Sequence, residues 1–71
     1  MREMFELIVI HTEWECARRH TFETKRDRAW FVNGHQWATD DSFYSYLFPE
    51  QKSLEEYNEE NGTNVVIKLT A

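Results

Sequence analysis

Hydrophobic and polar positions change rhythm several times along the chain. From Glu3 to Glu13 the residues Met4, Phe5, Leu7, Ile8, Val9 and Ile10 form a nearly continuous apolar run with β-branched members. A run of this length reads as a strand buried on both faces, and therefore central in its sheet. Trp14-Glu15-Cys16-Ala17 is expected as a turn. Arg18 to Thr24 then alternates, with His20, Phe22 and Thr24 on one side and Arg19, Thr21 and Glu23 on the other, the pattern of a half-exposed strand. A turn centred between Glu15 and Cys16 sets Val9 opposite Phe22 and His11 opposite His20.

The stretch from Thr24 to Ala38 follows neither rule cleanly. Thr24 is suited to cap a helix, with Asp27 three residues on approaching a capping box and a charged first turn from Lys25 to Arg28. Against this, Val32-Asn33-Gly34-His35 is a two-residue hairpin signal that would set Trp30 against Trp37. At 100° per residue no single apolar face emerges. The cap and the charged lead-in favour a central helix over 25–38. Gly34 then costs such a helix about 1 kcal/mol relative to Ala, and close packing against a sheet is the expected reason for its presence.

Beyond the polar break Thr39-Asp40-Asp41, residues 42–48 (Ser-Phe-Tyr-Ser-Tyr-Leu-Phe) have high strand propensity and stop hard at Pro49; a short helix capped by Asp41 or Ser42 is the rival. Pro49 suits a first helical turn. Glu50 to Glu60 is rich in helix formers and ends at Asn61-Gly62. Asn64 to Thr70 closes the chain as a strand. The whole is expected to be a single α+β domain spanning 1–71: a small antiparallel sheet made of the N-terminal hairpin, the C-terminal strand and 42–48, packed against the central helix 25–38 and an acidic helix 50–60.

At 71 residues the chain has room for one modest core and none for a second lobe or a large cofactor pocket. Its net charge of −5 is uneven. Residues 1–36 balance six basic against six acidic side chains, whereas 37–71 set Lys52 and Lys68 against seven carboxylates. Such a surface repels a phosphate backbone, so nucleic-acid binding as the main task is disfavoured. Glu55 with Glu59 and Glu56 with Glu60 are like-charge pairs four apart, with only Lys52 placed to offset Glu56. Together with Asp40, Asp41 and Glu50 they are expected to form an acidic face aimed at a basic partner surface. Eleven aromatic residues exceed what one thin core hides readily. Trp30, Trp37, Tyr44 and Tyr46 are the candidates for a partner-facing surface, with core packing as the alternative.

Candidate chemistry is sparse. His11, Cys16, His20 and His35 are nitrogen or sulfur ligands within 25 residues, a set zinc accepts, but they lack the short paired spacing of familiar zinc modules. No phosphate-cradling glycine loop and no local nucleophile signature is present. The expectation is accordingly of no enzyme activity and no cofactor. A single cysteine excludes an internal disulfide, and the lack of a signal peptide or long apolar segment points to the cytoplasm.

The order strand, strand, Phe22-x-Thr24, charged turn, Ala29-x-Phe31-Val32-x-Gly34, x-x-Trp37 and Asp40-Asp41-Ser42 resembles a pattern found in small uncharacterised phage-encoded proteins. The likeness covers residues 5 to about 45. It implies a phage source, hence a host-cell cytoplasm, and a β-β-α start, but no activity. Trp30 departs from the pattern, and Pro49 to Gly62 has no counterpart in it. The function expected is a small acidic protein-binding module that inhibits or redirects a host protein of transcription, replication or defence by covering a surface, in the extreme case as a nucleic-acid mimic. A homodimeric structural or antitoxin-like accessory protein is the alternative, and a small metal-dependent enzyme the third.

Overall fold

An apolar strand that must hide both of its faces needs a covering layer on each side, and the chain supplies one helix to each. The computed structural model describes residues 4–38 and 43–68. In chain order the elements are β1 (Phe5–His11), β2 (Cys16–Phe22), α1 (Lys25–Ala38), β3 (Tyr44–Leu47), α2 (Leu54–Asn61) and β4 (Val66–Ile67). The sheet order is β3-β1-β2-β4, with β1 antiparallel to both of its neighbours. Leu7, Ile8, Val9 and Ile10 are all buried, as a central strand demands. The α+β class, the N-terminal hairpin and the strand after the central helix thus take the form the sequence predicts. The last strand differs in direction: β4 lies parallel to β2 and makes the sheet mixed.

Alternation along β1 divides the molecule into two halves. On one face Ile8, Ile10, Ala17, Leu47 and Val65 form the buried cluster, covered by Leu54 and Tyr57 of α2 and by Ile67. On the other, Leu7 and Val9 lie beneath α1. This second half joins ring contacts of Phe31 and His35 with His20, Phe22, Tyr44 and Tyr46 to one buried cation. Arg28, 6 % exposed, donates from Nη1 to the Glu6 carbonyl at 2.8 Å and to Glu50 at 2.9 Å, and stands 4.7 Å from the Phe48 ring centroid.

The hairpin turns earlier than its residues suggest. Phe5 pairs with Phe22, Leu7 with His20, Val9 with Arg18 and His11 with Cys16, so each expected partner is displaced by four residues. The cause lies in the loop: the Trp14 amide donates to His11 Nδ1 at 3.2 Å, the two rings lie 4.9 Å apart, and Glu15 takes a left-handed φ of 50°. Cys16 and Ala17 are thereby released into β2, where the small Ala17 side chain fits the core. A displacement of four is even, so every side chain keeps its expected face.

Helix α1 begins as its cap predicts, with the Thr24 hydroxyl accepting the Asp27 amide at 3.0 Å. Gly34 contradicts its expected role, since a Cβ built there would have nothing within 4 Å; the glycine faces outward and not onto the sheet. Helix α2 starts later than Pro49. The chain first turns on the Phe48 carbonyl, which accepts the amides of Gln51 and Lys52, and Ser53 then caps the helix by accepting the Glu56 amide at 3.1 Å. Gly62 ends it at a φ of 63°, where only glycine is unstrained. The neighbouring loop is tied down by Asn58, whose side-chain oxygen accepts from the Val65 amide at 2.8 Å and from the Thr63 hydroxyl at 2.9 Å, while its nitrogen donates to the Val65 carbonyl at 3.0 Å.

Candidate functional site

Two regions carry features the fold does not consume. The first is the outer face of α1. Helical geometry sends Arg28, Phe31, Val32 and His35 inward, which leaves Trp30, Gly34 and Trp37 on the opposite side at spacings of four and three. Trp30 is 68 % and Trp37 90 % exposed. Two indoles one stripe apart, in water, with an unobstructed glycine between them, contribute nothing to the core.

Tyr44 and Tyr46 do not join that surface. Both are half-buried on the sheet face beneath α1, where the Tyr46 hydroxyl lies 2.5 Å from His35 Nδ1. The Tyr44 ring meets His11 at 5.1 Å and His35 at 4.7 Å, edge-on to both. The four aromatic candidates therefore divide into an exposed tryptophan pair and a tyrosine pair packed on histidines.

The second region is a half-open cavity of about 460 Å³ between the C-terminal half of α1 and the sheet. The hairpin lends it His11, Trp14, Cys16, Arg18 and His20, and α1 lends Phe31 and His35. Tyr44 and Lys68 complete the wall over a floor that includes Val9. All four ligand candidates, His11, Cys16, His20 and His35, thus reach one hollow. Among the described residues, however, no three His, Cys, Asp or Glu side chains are placed to share a metal ion. His20 has its pKa pushed below 6.5, first by burial and then by the charges of His35 and Arg18. Because folding lowers the His20 pKa, stability falls once the pH drops below 6.5, where the unfolded chain takes up the proton more readily. His11 accepts a hydrogen bond at Nδ1, so its neutral ring carries the proton on Nε2 and has a donor to offer.

The four glutamates of α2 lie on the far side of the sheet. Glu55, Glu56, Glu59 and Glu60 are exposed on α2, which covers the opposite face from α1. Asp40 and Asp41 fall outside the described residues. Glu50 is taken by Arg28, whose hydrogen bond holds its carboxyl below the usual range against a smaller opposing effect of desolvation. Lys52 pairs with Glu60, and this bond, more than the nearby charge of Glu56, raises its pKa. The net acidity of α2 therefore rests on Glu55, Glu56 and Glu59.

Sequence reasoning passed over Arg28, Trp14, Arg18, Lys68 and Asn58. Arg18 and Lys68 were visible only as isolated charges, since their adjacency depends on the parallel pairing of β4 with β2. Comparison of the chain with protein-family models, with curated proteins and with solved structures returns no match. Among the described residues no helix is long and apolar enough to cross a membrane.

Proposed function

We propose that the chain is a small protein-binding module that covers a surface of its partner with the outer face of α1. The observation that carries this reading is the exposed Trp30-Gly34-Trp37 stripe. Tryptophan dominates interface hot spots because a large rigid ring leaves water at little cost in side-chain freedom. Gly34 lowers helix stability without any packing return inside the fold, and the absence of a side chain there lets a partner approach the helix backbone between the two indoles. The resemblance to phage-encoded proteins suggests a host protein as the target, inhibited or redirected by occlusion. The carboxylates of α2, on the other side of the molecule, would act at longer range by steering it toward a basic partner.

Trp30→Ala and Trp37→Ala are each expected to weaken partner binding by about 2 kcal/mol, while the thermal midpoint stays put. The test compares wild-type and doubly substituted protein as bait in a bacterial lysate, followed by calorimetry on whatever the wild type alone retains. Equal retention by both baits would reject the stripe as the binding surface. If sedimentation instead shows a wild-type dimer that the double substitution converts to monomer, the stripe serves self-association and the homodimeric reading takes over.

A further inference from the structure

The cavity beneath α1 has an electrostatic character opposite to that of the chain. The protein carries a net charge of −5, yet none of the described residues that line the hollow is a carboxylate; its ionisable side chains are Arg18, Lys68, three histidines, Cys16 and Tyr44. The two full cations line the same hollow from adjoining segments. Ala17 pairs with Ile67 in the parallel β2/β4 ladder, and the Lys68 amide donates to the Ala17 carbonyl at 2.8 Å. The next step of that register sets Arg18 beside Lys68 on the face opposite the core. Like charges directly across a pair of strands repel, and neither forms an ion pair among the described residues. The same hollow offers ring surfaces from Trp14, Phe31 and Tyr44 above Val9. Its volume falls within the range of small-molecule sites, about 300–1,000 Å³.

We propose that this cavity is a binding site for a small aromatic anion, a planar ring bearing a phosphate or a carboxylate. The anionic group is held at the Arg18 and Lys68 rim, relieving the repulsion between them, and the ring packs on Trp14, Phe31 and Tyr44. His11, through its Nε2 hydrogen, and His20 supply further donors. The groups that face His20 are Arg18 on its own strand, His35 from α1 and the incoming anion. Burial lowers the His20 pKa first and the charges of His35 and Arg18 add to it, and a bound negative charge opposes those two charges and shifts the titration upward. Binding consequently tightens as the pH falls through the histidine range. This site is separate from the Trp30 and Trp37 stripe, and the variant lacking both indoles is expected to bind the anion unchanged.

The experiment is an NMR titration of the full chain with four probes: 5′-adenosine monophosphate, phenylacetate, adenosine and inorganic phosphate. Saturable shifts at Arg18, His20, Phe31 and Tyr44 are expected with one of the two charged aromatic probes at millimolar concentration. Which of the two acts identifies the anionic group as phosphate or carboxylate. The half-probes, adenosine and phosphate, are expected to bind at least about tenfold more weakly than the nucleotide if the phosphate form is the ligand. Arg18→Gln and Lys68→Gln, both at exposed positions, are expected to cost about tenfold each and to abolish the upward shift of the His20 titration. Shifts with neither aromatic anion, binding of phosphate alone as tight as that of the nucleotide, or indifference to both substitutions would each overturn the proposal.

Discussion

Ile10→Ala is expected to destabilise the domain by about 3–4 kcal/mol. Ile10 is fully buried on the central strand, in a cluster with Ile8, Ala17, Leu47 and Val65 under α2. Removing three carbons there loses their transfer energy and leaves a void. Those neighbours belong to β1, β2, β3 and the loop before β4, so closing the void would require the sheet and the helix to move together. A domain of this length has on the order of 4–10 kcal/mol of total stability, and the substitution removes a large share of it. Urea unfolding should be followed by far-ultraviolet circular dichroism, because Trp14, Trp30 and Trp37 are already exposed in the fold and their fluorescence reports folding poorly. A cost below about 1 kcal/mol would mean that α2 settles freely into the space and that this face is not tightly packed.

Arg28→Ala is expected to cost about 2–3 kcal/mol and to loosen α1 in particular. The side chain ties α1 to β1 through the Glu6 carbonyl and to the segment after β3 through the Glu50 carboxylate and the Phe48 ring, with Phe5 a further 5.8 Å neighbour. Lysine is not an adequate substitute, since a single ammonium cannot span a carbonyl and both oxygens of a carboxylate as the guanidinium fork does. A pH signature separates this role from lost packing. The folded pKa of Glu50 lies below its ordinary value of 4.5, so its pairing stabilises in full above that value and the contribution disappears as the pH falls through the folded pKa. Wild-type protein should therefore show an acid-side decline in stability that Arg28→Ala and Glu50→Gln both flatten. An unaltered decline in both variants would place its origin elsewhere.

How far such features can be read from the residues depends on whether they are local. The apolar run of β1, the Thr24 cap and the glycine stop at Gly62 are signals written within a few residues, and each appears in the fold. The hairpin register failed because the turn is set by a side chain, His11 accepting the Trp14 amide, and not by residues of high turn propensity. Helix α1 resisted periodicity because its inner stripe of Arg28, Phe31, Val32 and His35 is mostly polar or aromatic, while its outer stripe carries the two large indoles; a hydrophobicity scale ranks these faces in the wrong order. Gly34 was misread for the same reason. The cavity could not be inferred at all, since it is assembled from the hairpin, α1, β3 and the residue after β4. Even so, the face shared by His11 and His20 survived the register error through parity alone.

The clamp at Asn58 bears on how the molecule opens. A side-chain amide takes the place of a neighbouring strand for Val65, bonding both its N–H and its C=O, so the segment leading to β4 is secured to a helix and not to the sheet ladder. Amide protons of Val65 and of the last turn of α2 should then exchange with solvent at one common rate, as a single locally unfolding unit, faster than those of Ile8 and Ile10, which sit between two strands. Asn58→Ala should split that unit, with Val65 exchanging ahead of the helix. Equal protection of Val65 and Ile10 in the wild type would show instead that the C-terminal segment and the central strand melt as one.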